Sequence, residues 1–260
     1  MRKLILLTAI AAFFAAPYCI SGPATAGIPP VIDLAATTKT VIVIDPAHGG
    51  GDWGVNFHGA LEKDITLKIA RYVKMKLDRN EKDVVTYLTR DSDAFMTAAD
   101  RAGFANSKKA ALFVSIHCDF SASEKSAGFK VYYQAGNQIT SKRDESLPVP
   151  WESVQLYHVD DSARLAGYIS QYMQAPLIPE NASADSGAAN DTAPLSYRKE
   201  AAVDHNSLTG VDMPAVVFEA GNLNNSGDFG VLKDDRMINR IAYHLKEGIV
   251  HYIREKEGVK

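Results

Sequence analysis

The sequence predicts an α/β three-layer sandwich, a mostly parallel twisted sheet with helices on both faces, and three observations lead to it. Short, β-branched apolar runs alternate with longer amphipathic stretches along the 260 residues. The runs are of the kind expected for buried strands, and strands alternating with helices indicate a parallel sheet. Polar, chemistry-bearing residues stand where several of these runs end, the edge on which α/β folds place their sites.

Residues 40–44 (TVIVI) read as the first buried strand. It runs into Asp45-Pro46 and then Ala47-His48-Gly49-Gly50-Gly51, a loop whose small residues permit a tight turn. Over residues 63–77, Ile65, Ile69, Tyr72, Val73 and Leu77 recur at helical spacing. Residues 84–88 form a second strand, and Thr97 can cap a helix running to about residue 107. Residues 111–116 (ALFVSI) and 128–133 supply two more strands. After a long irregular stretch, 162–172 reads as a helix and 215–219 (AVVFE) as another buried strand. A closing helix over 234–255 carries Ile238, Ile241, Leu245, Ile249 and Tyr252 on its core face.

Residues 1–26 read as an export signal. Arg2 and Lys3 precede an apolar run from Leu4 to Ala16, and Ala24-Thr25-Ala26 offers small residues at a cleavage point. The run is shorter than the ~20 residues a spanning helix needs, so cleavage is expected to leave no stable membrane span. Residues 27–39 then form a linker and 40–258 one folded domain. Export implies a periplasmic location, or the extracellular face of the cell wall where there is no outer membrane. The net charge is −3, and loss of Arg2 and Lys3 makes the remainder more acidic. That balance offers nucleic acid no basic face. Cys118 would then have no internal partner and is expected to be buried.

Three residues form a candidate metal set: His48 after the first strand, Glu62 at the start of the first helix, and His117 at the end of the central strand. Two imidazoles and one carboxylate suit zinc, and three protein ligands leave a fourth position for water. Such a water ionises near neutral pH.

The flanks of these residues match a family. VIVIDPAHGG, ALEKDITLKIA, TRDSD, ADRAGFAN, LFVSIHCD and MPAVVFEAGNLNN resemble, in order, blocks of the zinc-dependent N-acetylmuramoyl-L-alanine amidases of the amidase 3 group. The resemblance spans roughly residues 40 to 255. It implies that His48, Glu62 and His117 hold Zn2+ and that Glu219 is the catalytic glutamate. It also implies hydrolysis of the amide between N-acetylmuramic acid and the L-alanine of the peptidoglycan stem peptide, with 40–258 as the catalytic domain. Its substrate would be peptidoglycan or muropeptides, and some members answer to a protein activator. Glu219 ends a very apolar strand, where burial raises a carboxyl pKa and suits a group that takes and returns a proton. Asp45 and Asp119 could orient a histidine ring or simply cap loops.

Departures from the family pattern set further expectations. Ala47 replaces a glycine, which matters only if that position needs positive φ. His58 lies between the first two ligands without a ligand motif around it and reads as a loop residue. Residues 197–212, with His205-Asn206-Ser207-Leu208-Thr209-Gly210, differ most, so substrate contacts there cannot be carried over. Residues 134–161 form a long connection holding Trp151, Tyr157 and His158. Pro148 and Pro150 interrupt any long helix, favouring a groove-lining loop over a plug. Were it a plug, Glu145 or Glu152 would reach the metal. Two other readings stay open: a zinc peptidase acting on stem peptides, and a non-catalytic wall-binding protein on the same fold. The HxxE and HExxH spacings of other zinc peptidases are absent, as is a Gly-x-Ser-x-Gly elbow.

Overall fold

The apolar runs become the middle of a six-stranded sheet. The structure is a computed structural model that describes residues 39–144, 146–175 and 201–258. The expected export signal, the linker up to residue 38 and Glu145 lie outside the described residues.

The chain enters through β1 (Thr40–Pro46) and makes a small hairpin from β2 (Asn56–Phe57) and β3 (Ala60–Leu61). It continues through α1 (Glu62–Asn80), β4 (Val84–Leu88), α2 (Ala98–Ser107), β5 (Leu112–Asp119) and β6 (Lys130–Gln134). A 3-10 turn at Trp151–Tyr157 leads into α3 (Val159–Met173). After β7 (Ala201–Val203) and a second 3-10 turn (Asn206–Leu208) come β8 (Ala215–Asn222), α4 (Ser226–Lys233) and α5 (Asp235–Lys256). The sheet order is β4-β1-β5-β8-β6-β7. The four strands from β4 to β8 are parallel, and β6 enters antiparallel to β8.

Two cores make the three layers. On one face Ile42, Ile44, Leu112, Val114, Ile116 and Phe218 meet the apolar sides of α1, α3 and α5. On the other, Val43, Phe113, Ala215 and Val217 pack with Ala102 and Ala105 of α2 and with Leu208, Val211 and Met213. Alternate residues of one strand feed the two layers, which is why the strands are apolar throughout.

The helices start where their sequences provide caps. Thr97 and Asp100 form a reciprocal capping box on α2. Asp234 caps α5 through the N–H groups of Arg236 and Met237. The sequence reading missed α4, whose Gly227 and Gly230 depress helix propensity. Asn225 compensates by accepting from the N–H groups of Gly227 and Asp228. It also missed β7 and the β2–β3 hairpin, both too short to show a periodicity. In that hairpin His58 and Gly59 take φ of 48° and 79°, a turn with both central residues left-handed. His58 is a turn residue, its ring 4.3 Å from that of Phe57.

Candidate metal centre

The β1–β5 pairing continues past the strand, with Ala47 N–H donating to Ile116 C=O at 3.1 Å. The chain then turns sharply through His48, Gly49 and Gly50, all at positive φ. Ala47 itself is not at positive φ, so its methyl group is accepted without backbone strain. The strained residue is His48, at φ 59°, an uncommon conformation for a side-chain-bearing residue. Two buried arginines hold this turn. Arg90 donates to the carbonyls of Pro46, Ala47 and Lys63. Arg101 donates to those of Pro46 and His48.

The turn brings His48 beside Glu62 at the first position of α1 and beside His117 in β5. His48 Nε2 lies 3.2 Å from Glu62 Oε1, and His117 Nδ1 lies 3.4 Å from the same oxygen. One ligand atom from each residue falls within 4.8 Å of the others, and among the described residues this is the one such cluster of His, Cys, Asp and Glu. These three side chains can hold a metal ion. The sequence had singled out the same three.

Glu62 is buried and fixed by two backbone donors, Val55 N–H on Oε2 and Cys118 N–H on Oε1, each at 2.9 Å. Burial alone would raise its pKa, but His117 and His48 hold it well below the usual carboxylate range. Gly54 leaves the room this needs: a Cβ there would lie 2.5 Å from Glu62 Oε2 and 2.6 Å from His48 Cδ2. Cys118 is buried and free, as expected, with its thiol pKa pushed up by that burial.

The outer nitrogens of both imidazoles are occupied. His48 Nδ1 meets Asp52 Oδ2 at 2.8 Å, and His117 Nε2 meets Ser207 Oγ at 3.1 Å. Such partners fix the tautomer and aim the inner nitrogen. Neither Asp52 nor Ser207 stood out in the sequence. Asp52 had one local signal, four residues past His48 across a glycine turn that Gly49 and Asp52 close by reciprocal backbone bonds. Ser207, in the segment that departs from the family pattern, had none.

Asp45 does a different job from ring orientation. Its carboxylate takes Thr89 Oγ1, Arg101 Nη1 at 2.6 Å and Ser115 Oγ at 2.7 Å. It reaches His48 only through Arg101, which holds the His48 carbonyl. Asp119 forms an ion pair with Lys130 at 3.0 Å.

Glu219 stands in register with His117 on β5 and with Lys130 on β6, so the three share one face of the sheet. Its Oε2 is buried and has no hydrogen-bond partner among the described residues. Burial raises its pKa from 4.5 to about 7.

The long connection packs sideways onto the segment before β8. Gln155 Nε2 donates to the carbonyls of Val211 and Met213. Arg143 and His158 both reach Asp212. Trp151 lies against Gly210, where a Cβ would fall 1.9 Å from the indole. Glu152 is exposed and is not part of the metal cluster. No helix among the described residues is long and apolar enough to cross a membrane.

Comparisons with known proteins agree with this architecture. The endolysin of Bacillus phage SPP1 is 30% identical over 217 residues, covering 84% of this chain and 67% of the endolysin. The N-acetylmuramoyl-L-alanine amidase LytC of Bacillus subtilis (strain 168) is 28% identical over 213 residues, 82% of this chain but 35% of LytC, so the chain spans about a third of that relative. The catalytic domain of CwlV, an N-acetylmuramoyl-L-alanine amidase from Bacillus (Paenibacillus) polymyxa var. colistinus, superposes with a TM-score of 0.64 at 27% identity. That match covers 85% of this chain and 99% of the CwlV domain. The Amidase 3 family, described as N-acetylmuramoyl-L-alanine amidase, matches residues 42–251. On that match, which takes in the whole His48, Glu62, His117 and Glu219 constellation, the chain belongs to the Amidase 3 family of N-acetylmuramoyl-L-alanine amidases.

Proposed function

We propose that the chain is an exported, zinc-dependent hydrolase of the amide bond between N-acetylmuramic acid and the L-alanine of the peptidoglycan stem peptide. The observation that carries this reading is the spacing of the three ligand atoms beside an unpartnered, buried glutamate. Ligands bound about 2.0–2.1 Å from a tetrahedral zinc stand about 3.3 Å apart. The two separations from Glu62 Oε1 are 3.2 and 3.4 Å, and all three ligand atoms lie within 4.8 Å of one another. An imidazole-rich set also favours zinc over magnesium or calcium, which take oxygen ligands.

His48, Glu62 and His117 would hold the zinc, which when bound would supply Lewis acidity and bring the ionisation of water close to neutral pH. Glu219 then takes a proton at Oε2 from the attacking water. It returns that proton to the L-alanine nitrogen as the C–N bond breaks, releasing a peptide with a free L-alanine amine. A pKa of about 7 suits a carboxyl that must both accept and donate at neutral pH. Asp52 and Ser207 keep the two rings aimed.

Residues 1–26 direct this activity to the periplasm, or to the wall where there is no outer membrane. A protein activator would act through the 134–161 connection, where Trp151 abuts Gly210.

The test is hydrolysis of N-acetylmuramoyl-L-alanyl-D-isoglutamine, with product read as new L-alanine amine. Turnover should vanish on chelation and return with zinc but not with magnesium. Cleavage at the bond after L-alanine would instead support a peptidase.

A further inference from the structure

His205 stands beside the metal centre without being one of its ligands. Its ring lies edge-on to His117 with centroids 5.3 Å apart, and it stacks on Tyr132 at 6.4 Å. Tyr132 pairs with Val217, two residues before Glu219 on β8, and Lys130 pairs with Glu219 itself. Residues two apart on a strand point the same way. His205 therefore covers the face of the sheet that carries His117 and Glu219.

The backbone sets its tautomer. Ser207 N–H donates to His205 Nδ1 at 3.2 Å. A ring nitrogen that accepts an N–H bears no proton, so the imidazole is neutral with its hydrogen on Nε2. The His205 ring is half-buried, and its Nε2 is not among the fully buried unpartnered polar atoms of the described residues. Ser207 also meets His117 Nε2 through its hydroxyl. A single residue thus fixes both rings, one by its side chain and one by its backbone.

We propose that His205 is a further catalytic residue, whose Nε2–H donates a hydrogen bond to the carbonyl oxygen of the scissile amide as that oxygen gains negative charge. The assignment rests on the amidase reading. A donor fixed in place before reaction, and aimed where charge develops, stabilises the transition state more than the bound substrate. Loss of such a donor lowers kcat and leaves KM nearly unchanged. His205 belongs to the segment that departs most from the family pattern.

The experiment compares zinc-loaded wild type, His205→Ala and His205→Gln on N-acetylmuramoyl-L-alanyl-D-isoglutamine. Zinc content and thermal unfolding are measured on each. His205→Ala should lower kcat about 100-fold with KM within about twofold. His205→Gln, whose amide can still donate, should recover part of the loss. A spectrum of 15N-histidine-labelled wild type should show His205 protonated at Nε2 only. A raised KM with kcat intact, a glutamine variant no better than alanine, loss of zinc in His205→Ala, or a proton on Nδ1 would each overturn the assignment. A wild type that releases no L-alanine amine fails the amidase reading and takes this role with it. An active wild type matched by His205→Ala sinks the donor role alone.

Discussion

Glu219 lies directly opposite His117 across the β5–β8 pair, with Oε2 buried and unpartnered among the described residues. A carboxylate left like this resists ionisation. Burial lifts its pKa from 4.5 to about 7, with His117 and Lys130 acting to lower it and Glu62 and Asp119 acting to raise it. The folded chain thus holds this proton more tightly than the unfolded chain. Its contribution to stability is complete below about pH 4.5 and is lost as pH rises through about 7, a change on the order of 3 kcal/mol. Urea unfolding of metal-free wild type and Glu219→Gln should show the wild type losing ground over that window. A difference independent of pH would mean that Glu219 titrates as an ordinary carboxylate.

Asp52 holds His48 Nδ1 at 2.8 Å, so its effect should fall on the metal. Asp52→Ala is expected to weaken zinc binding about 10- to 100-fold with little change in unfolding temperature. Competition against a chromophoric chelator measures this. Unchanged affinity would remove Asp52 from the role of ring partner.

Asp45 should behave in the opposite way. Its carboxylate answers the buried guanidinium of Arg101, and both groups are almost wholly out of solvent. Asp45→Ala leaves that cation unpaired and should cost about 3–5 kcal/mol of stability. Chemical denaturation gives the number, and a loss under 1 kcal/mol would contradict the account of the network.

The contrast between Asp45 and Asp52 shows where the sequence could be read and where it could not. The five longer strands and the four long helices announce themselves by apolar runs and helical spacing; His48 and Glu62 fall at element ends, and His117 and Glu219 in the C-terminal halves of β5 and β8. Backbone topology alone brings those four together. The partners of the rings depend instead on loop conformation. Asp45, at the end of β1, could by its sequence have oriented a ring or capped a loop, and its carboxylate takes Thr89, Arg101 and Ser115. Asp52 is reached only through a turn with three consecutive positive φ values. Ser207 comes from a 3-10 turn with no periodicity to read. Ala47 illustrates the same limit, since the left-handed conformation sits one residue later, on His48.

Gly210 combines a φ of 79° with an indole where its Cβ would be. Gly210→Ala should strain the backbone, displace Trp151 and cost about 1–3 kcal/mol. Red-shifted tryptophan emission would accompany the loss. Unchanged emission and stability would show that Trp151 does not pack there in solution.

The central claim, that a zinc site with Glu219 as its proton carrier cuts the bond to L-alanine, is tested most directly by digesting purified sacculi. Zinc-loaded wild type and Glu219→Gln are compared, with products identified by mass spectrometry and zinc content measured on both. The account predicts stem peptides beginning at free L-alanine, together with peptide-free glycan, from the wild type. Glu219→Gln should keep its zinc and lose about 100- to 10,000-fold in rate. Shortened peptides still attached to glycan, or a Glu219→Gln variant as active as wild type, would contradict it.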